Sequence, residues 1–355
     1  MTRPRPDFGP QPELTDGVIV LRPWREEDID VARQGHDQEI AYWFGFDEVT
    51  PSREQQAAAV ARWNASYDDN RSTVNFLITH EDSPVGNVEV RDKGDGVGQL
   101  SWTLYAGHRG QGYAARAVSM LVDYAFTELG LKRVEAHVDP DNQRSLRVAT
   151  RSGLHREGVV RGGGDRKDAT GYVLLARLYD DPPVTDPVGF RALLNSFLPR
   201  KRAISQMLVR DQDDRVLLCQ LTYKRDWDLP GGVVEVGESP QLAVSREIEE
   251  ELALAIKAGP LLLTDWLPPW GGWDDAVCLV FDGGVHDPSL VDQIVVQPRE
   301  IRSAQFCTVD EVREHCADFT ARRIESALAN LASGGPSYTE SGRLFTAPMG
   351  SGSLD

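Results

Sequence analysis

Glu247, Glu250 and Glu251 stand at i, i+3 and i+4 in a stretch that runs from a glycine pair, Gly231 and Gly232, to Leu254. On a helix this spacing projects the carboxylates from one side and crowds negative charge into a small volume. Unpaired, the crowding destabilises the helix. A divalent cation turns it into a binding site, and Mg²⁺ in particular takes a few carboxylates together with water and phosphate oxygens. Val244, Ile248 and Leu252 repeat at i, i+4 and i+8, an apolar row that anchors the same helix to a core and aims the glutamates outward. A solvated acidic helix after a glycine-rich hairpin would account for Glu249, Glu250 and Glu251, but not for their offsets from Gly232 and Glu238.

Those offsets resemble the signature of the Nudix hydrolases: Gly232, Glu238, Arg246, Glu247, Ile248, Glu250, Glu251 and Leu254 fall on it in register, led in by Trp227, Leu229, Pro230 and Gly231. The departure is Ala253, where the family carries a glycine; a left-handed helix end there costs a residue with a Cβ about 1–2 kcal/mol. The resemblance implies that Glu247, Glu250 and Glu251 bind Mg²⁺ or Mn²⁺, which activates water against a diphosphate. It further implies that Arg246 holds the glutamates by charge-assisted hydrogen bonds, that Glu238 reaches a second metal or its water, and that Glu300, ahead of Phe306, is a candidate base. The substrate expected is a nucleoside diphosphate-linked small molecule. Trp266, Trp270 and Trp273 concentrate indoles in one loop; they can stack on a nucleobase, contributing about 1–3 kcal/mol, or simply pack.

A second chemical motif lies in the first half. Arg109, Gly110, Gln111, Gly112, Tyr113 and Ala114 join a strand-like stretch to a helix-like one. Successive N–H groups with little side-chain bulk, backed by a helix dipole, make a pyrophosphate cradle. With the downstream run around Asp139, Asn142, Ser145, Arg147 and Gly153, and the opening Leu21, Arg22, Pro23 and Trp24, this half is similar to the GNAT-superfamily acetyltransferases, of the type that acetylates N-terminal amines of ribosomal proteins. The resemblance implies acetyl-CoA as cofactor and an amine acceptor, either a peptide N-terminus or a small molecule. Leu104 and the 109–114 turn would hold the cofactor, Asn142 its pantetheine arm, and Ser145 would protonate the departing thiolate; a plain helix-capping role also suits Asn142. Where relatives carry a glutamate this chain has Gln99, which cannot take a proton. Glu89, Glu135 and His137 are stand-ins. A water chain is another route, because an α-amine with a pKa of about 7.7–8.0 is already partly neutral at neutral pH.

The elements that must position these groups read as α/β (α+β). In the first half, strands are expected over 18–21, 74–79, 85–90, 100–105, 134–138 and 172–178 and near Gly158, with helices after Trp24, over 55–63 and 111–129 and after Asn142. This amounts to a GNAT-like mixed sheet flanked by helices over residues 1–181. Pro182, Pro183 and Pro187 mark a linker over 182–200 that contains a short amphipathic helix, Phe190, Leu193, Leu194, Phe197 and Leu198. A Nudix α/β/α sandwich follows over 201–333, with strands over 203–209, 216–221 and 277–281 and a closing helix over 317–331. The Gly- and Ser-rich stretch 334–355 is expected to be a disordered tail.

Composition limits the partners. Lys and Arg number 38 against 55 Asp and Glu, a net charge of −17, which repels nucleic acid and anionic membrane. No apolar run suggests a signal peptide or a membrane span, so the expected location is cytoplasmic. Cys219, Cys278, Cys307 and Cys316 lack metal-site spacing and read as buried or free thiols. A bifunctional enzyme is the expectation, with a Nudix hydrolase carrying a non-catalytic CoA-sensing GNAT module as the alternative.

Overall fold

The computed structural model describes residues 10–333, 337–340 and 342–344. It divides after Leu198 into two compact units, both mixed α/β.

The first unit contains β1 (Leu14–Thr15), β2 (Val20–Arg22), α1 (Asp28–Gly35), α2 (Gln38–Phe44), α3 (Arg53–Asp69), β3 (Thr73–His80), β4 (Ser83–Asp92), β5 (Val97–Leu104), α4 (Tyr113–Thr127), β6 (Arg133–Val138), α5 (Gln143–Arg151), β7 (His155–Arg161), β8 (Gly171–Leu178) and α6 (Pro187–Phe197). Its strands form one sheet in the order β1-β2-β3-β4-β5-β6-β8-β7. Only β5 and β6 are parallel among the described pairs, and α4 supplies the crossover such a pair requires. Ala117, Val118, Leu121, Val122 and Ala125 of α4 are fully buried against Val88 and Leu100 of the sheet. The β5/β6 register runs from Val97 opposite Arg133 to Leu100 opposite Ala136 and stops, although β5 continues to Leu104 and β6 to Val138. The strands part there. The resulting cleft lies at the carboxyl ends of a parallel pair, where open α/β sheets bind ligands.

The amphipathic helix expected within a linker is α6, and it belongs to the first unit. Asp186 caps it, accepting from Val188 N–H at 2.7 Å, and Pro187 takes the first turn, where its missing N–H costs nothing. It packs on β7, whose Arg156 N–H donates to Ser196 Oγ at 3.0 Å. Leu193 is buried there and Phe197 packs against the core, so two of the five stripe residues tie the helix down.

The second unit contains β9 (Arg202–Asp211), β10 (Val216–Leu221), β11 (Gly231–Val233), α7 (Pro240–Leu252), β12 (Leu261–Leu267), β13 (Ala276–His286), β14 (Ile301–Cys307), α8 (Val309–His315), α9 (Asp318–Ser333), β15 (Ser337–Glu340) and β16 (Arg343–Leu344). The sheet order is β14-β10-β9-β13-β12-β15-β16, with β11 on β9. Strand β9 is buried on both faces: Met207 and Val209 pack with Val244, Ile248 and Leu252 of α7, while Leu208 faces Ile324 and Ala327 of α9. Period-two alternation between two apolar layers makes the α/β/α sandwich. Of the expected disordered tail, residues 334–336, 341 and 345–355 lie outside the described residues. Within that stretch Ser337–Glu340 pairs in parallel with β12, whose edge offers unpaired backbone groups that recruit another strand.

Helix α7 ends at Ala253 with φ +57°, its N–H donating to Glu249 O at 3.0 Å. The left-handed exit therefore forms despite the Cβ. Ala253→Gly is expected to stabilise the second unit by about 0.5–1 kcal/mol, the relief of the Cβ clash less the greater freedom of glycine in the unfolded chain. Urea unfolding of the two proteins reads the difference, and an unchanged midpoint would refute it.

Candidate active sites

In the first unit the turn after β5 carries two glycines in the left-handed region, Gly110 at φ +82° and Gly112 at φ +85°. Gly112 is the N-cap of α4 and offers no side-chain cap, so the first N–H groups of that helix are left for an anion. Arg109 does something the sequence did not announce. Its guanidinium grips Asp37 through two bonds of 2.7 and 2.9 Å and Glu39 at 2.8 Å, while Nε donates to Leu104 O at 3.0 Å. That pairing holds the Asp37 carboxyl below its ordinary range and pins the start of α2 to the turn. Asp37 at the same time caps α2 by accepting from Ile40 N–H at 2.9 Å.

Two cavities meet in the cleft. The larger, about 520 Å³, is lined by Leu104, Arg109, Gly110, Gly112, Ala114, Asn142 and Ser145, with Trp43 and Phe44 of α2. Gln111 and Tyr113 are not on its wall; Tyr113 Oη bonds Gln111 Oε1 at 2.8 Å, and the Tyr113 ring is buried against His80. Asn142 caps α5 through Ser145 N–H at 3.1 Å and also lines the cavity. Arg144, Arg147 and Arg151 of α5 also reach this wall. Their i, i+3, i+7 spacing was readable as one basic helix face.

The second cavity, about 340 Å³, shares Trp43, Phe44, Trp102, Asn142 and Ser145 with the first and adds Glu89, Gln99 and His137. Glu89 is buried and held by Asn75 at 3.0 Å and Arg91 at 2.6 Å. Glu135 is not on the wall but bonds His137 at 3.1 Å. Helix α2, which lends aromatic residues to both cavities, was missed from sequence because seven residues are too few for a periodic signal.

In the second unit, Gly231 N–H donates to Glu251 Oε2 at 3.3 Å. A Cβ on Gly232 would stand 2.6 Å from the Glu247 carboxyl carbon, which explains the need for glycine at the foot of α7. Glu251 is 5% exposed. Burial, then the charges of Glu247, Glu300 and Asp228, push its carboxyl up to about 7 against the opposing Gly231 bond. Burial raises Glu247 too, with Glu250 and Glu300 adding to the rise and Arg246 opposing it. Glu247, Glu251 and Glu300 thus form one electrostatic cluster, bringing together residues far apart in the chain.

Glu238 is not brought into that cluster. Both of its oxygens are taken by Arg246, at 2.9 and 3.1 Å, and the same guanidinium holds Glu247 at 3.1 Å and the exposed Glu250 at 2.8 Å. Among the described residues no three His, Cys, Asp or Glu side chains are gathered to hold a metal ion. In donor chemistry the cluster suits a hard cation: every candidate ligand atom is a carboxylate oxygen, and the carboxyls of Glu247 and Glu251 are raised by burial first and then by neighbouring negative charge.

A basic cavity of about 410 Å³, lined by Tyr223, Lys224, Arg225 and Arg302, was not anticipated. Burial and then the charges of Glu251, Asp228, Glu300 and Glu247 raise the Tyr223 phenol, so this cavity borders the acidic cluster. Trp270 and Trp273 bracket a tight Gly271-Gly272 turn and stay largely exposed, whereas Trp266 belongs to β12. The four cysteines are buried and free, and burial pushes their thiols up. Among the described residues no helix is long and apolar enough to cross a membrane.

Comparison with known proteins divides the chain in the same way. Residues 19–155 match the model of the Acetyltransferase (GNAT) domain, and residues 199–328 that of the NUDIX domain. An uncharacterised N-acetyltransferase, p20, of Bacillus licheniformis is 27% identical over 146 residues, 40% of this chain and 82% of that protein. A MutT-like protein of Streptomyces ambofaciens is 31% identical over 130 residues, 36% of this chain and 75% of that protein. Among solved structures, Mycobacterium smegmatis RimJ in complex with CoA-disulfide is 23% identical, covering 50% of this chain and 90% of that one at a TM-score of 0.44. The chain therefore carries a GNAT acetyltransferase domain in its first unit and a Nudix domain in its second.

Proposed function

We propose that the first unit transfers the acetyl group of acetyl-CoA to an amine, and that the second hydrolyses a nucleoside diphosphate-linked compound with the help of Mg²⁺ or Mn²⁺. One observation in each unit carries the reading. In the first it is a pair of cavities that meet at Asn142 and Ser145, one fringed by a helix N-terminus and arginines, the other by polar strand residues. The arginine-rich cavity suits the phosphates of CoA, with the 109–114 turn and Arg147 and Arg151 supplying donors. The other cavity suits the acceptor. Ser145 stands where both compounds would meet and is assigned to protonate the leaving sulfur. The N-acetyltransferase relative agrees with an amine acceptor.

In the second unit the supporting observation is the Glu247, Glu251 and Glu300 cluster beside a cavity of cationic side chains. Glu247 and Glu251 would hold the cation, with Glu250 completing the set and Glu238 bracing Arg246 rather than binding metal directly. A bound divalent ion supplies Lewis-acid polarisation of the diphosphate and a more acidic water. Lys224, Arg225 and Arg302 orient the phosphates, and Glu300 is assigned to take the proton of the attacking water. Gly232→Ala is expected to push Glu247 aside and lower hydrolysis several-fold, at little cost in stability because the atom displaced is the tip of a flexible side chain. Release of nucleoside monophosphate and urea unfolding measured side by side check this; undiminished hydrolysis would contradict it.

Two assays test the whole reading. Calorimetry with acetyl-CoA followed by turnover with a panel of amines should give binding and acetyl transfer, and binding without transfer would remove the transferase. A chromatographic screen for phosphomonoester products from nucleoside triphosphates, ADP-ribose, dinucleotides and CoA should find a diphosphate cleaved only with added Mg²⁺ or Mn²⁺. Silence across that screen, or cleavage indifferent to chelator, would remove the hydrolase.

A further inference from the structure

We infer that the smaller cavity of the first unit engages its amine through the side-chain carbonyl of Gln99, and that His137 with Glu135 decides which end of that amide faces the cavity. The inference rests on the acetyl-transfer reading of this unit. It begins with register. The parallel pairing of β5 and β6 sets Gln99 opposite Glu135, and His137, two residues further along β6, points to the same face. The strands separate just beyond, so Gln99 and His137 both border the cavity while Glu135 lies behind them.

His137 Nε2 is 3.1 Å from Glu135 Oε1. Glu135 is a carboxylate paired with Arg133 at 3.3 Å and can only accept, so Nε2 carries the proton. In a neutral imidazole the lone pair then sits on Nδ1, and Nδ1 is 3.1 Å from Gln99 Nε2. The amide nitrogen is committed to the ring. Its carbonyl oxygen is what remains for a ligand, and a carbonyl accepts from the N–H of an amine. The ring has little freedom to rearrange, because it stacks on Tyr172 with centroids 4.0 Å apart and planes 18° from parallel.

Both ring nitrogens are occupied, so His137 is a positioning residue and not the base. Protonating it reverses the polarity. An imidazolium donates from both nitrogens, so Nδ1–H now needs an acceptor; the Gln99 amide must turn over, and its NH₂ faces the cavity, donor against donor with an amine. The other charged groups around the ring are largely neutralised in pairs: Arg133 with Glu157 of β7, Glu89 with Arg91 on β4, and Asp139 with Arg166, leaving Asp165 on the wall. Glutamine at position 99, which looks like a defect when read as a lost base, becomes an amine reader whose orientation follows the protonation of its neighbour.

Nuclear magnetic resonance on the full chain, with ¹⁵N-histidine and ¹⁵N-glutamine, tests this without needing turnover. At pH 8 His137 should show the Nε2–H tautomer. On acidification the Gln99 NH₂ signals, assigned with Gln99→Leu, should shift with the midpoint of His137, and that shift should vanish in His137→Phe, which keeps the stack on Tyr172. With CoA present at pH 8, alaninamide as the amine probe should move the Gln99 signals. An Nδ1–H tautomer at pH 8, Gln99 signals that ignore the titration of His137, or no response to alaninamide would each overturn the inference. Failure of the acetyl-transfer reading is seen separately, as absent transfer in the amine panel while the tautomer and the coupled titration persist.

Discussion

The Glu251→Gln variant is expected to be more stable than the parent at pH 8 and inactive on diphosphates. The Glu251 carboxyl, pushed up to about 7 by burial and by neighbouring negative charges, ionises near 4.3 in the unfolded chain. Below the unfolded value both states hold the proton and nothing is lost. As pH rises toward 7 the unfolded chain releases its proton while the folded one retains it, so stability falls; above 7 the folded protein carries the full penalty, about 4 kcal/mol at 1.36 kcal/mol per pKa unit. Glutamine stays neutral and can still accept from Gly231 N–H, so the variant should lack this decline. A bound divalent ion reverses the order. It stabilises the parent by about 2.7 kcal/mol at a hundred times its dissociation constant and should do little for the variant, whose hydrolysis drops by roughly 10²-fold or more. Unfolding of the second unit at pH 5 and pH 8, with and without Mg²⁺, checks both signs. Parallel pH profiles for the two proteins, or equal stabilisation by Mg²⁺, would sink the assignment.

Arg109→Ala is expected to weaken acetyl-CoA binding by roughly 10-fold or more and to cost about 2 kcal/mol of stability, the scale of lost hydrogen bonds between charged groups. The reason is the clamp on Asp37 and Glu39. Without it α2 is free to leave the turn, and Trp43 and Phe44 leave the cavity wall with it. Arg109→Lys should not restore the parent, because an ammonium cannot make the forked contact with Asp37. The combined Asp37→Asn, Glu39→Gln variant separates this from direct phosphate contact: it should reproduce the loss in affinity. Calorimetry with acetyl-CoA provides the measurement. Normal binding in that variant would show that the Arg109 side chain acts on the ligand itself.

These two residues differ in how far sequence could reach them. Glu251 was legible because Glu247 stands four residues before it and Glu250 beside it on the same helix, and helical spacing converts directly into a shared face. Glu300 joined them only by resemblance, and its electrostatic coupling to Glu247 and Glu251 comes from the return of the chain along β14. Glu238 was placed with the metal on the strength of its offset, yet the nearest strong cation, Arg246, takes both of its oxygens. Arg109 was named for the backbone it carries. Its side chain is spoken for by residues some seventy positions earlier, a pairing that no local pattern contains.

By itself the sequence determined the two domain types, their order, the apolar row under α7 and the glycine turn before α4, all of which are carried by near neighbours and by helix and strand periods. The tertiary structure alone decided that β5 and β6 part after Leu100, that two cavities meet at Asn142 and Ser145, that α6 belongs with the first unit, and that Gln99 is bound to His137. Strand register and buried charge are set by groups distant in the chain. Their energies depend on burial and on partners, and neither exists until the sheet has formed.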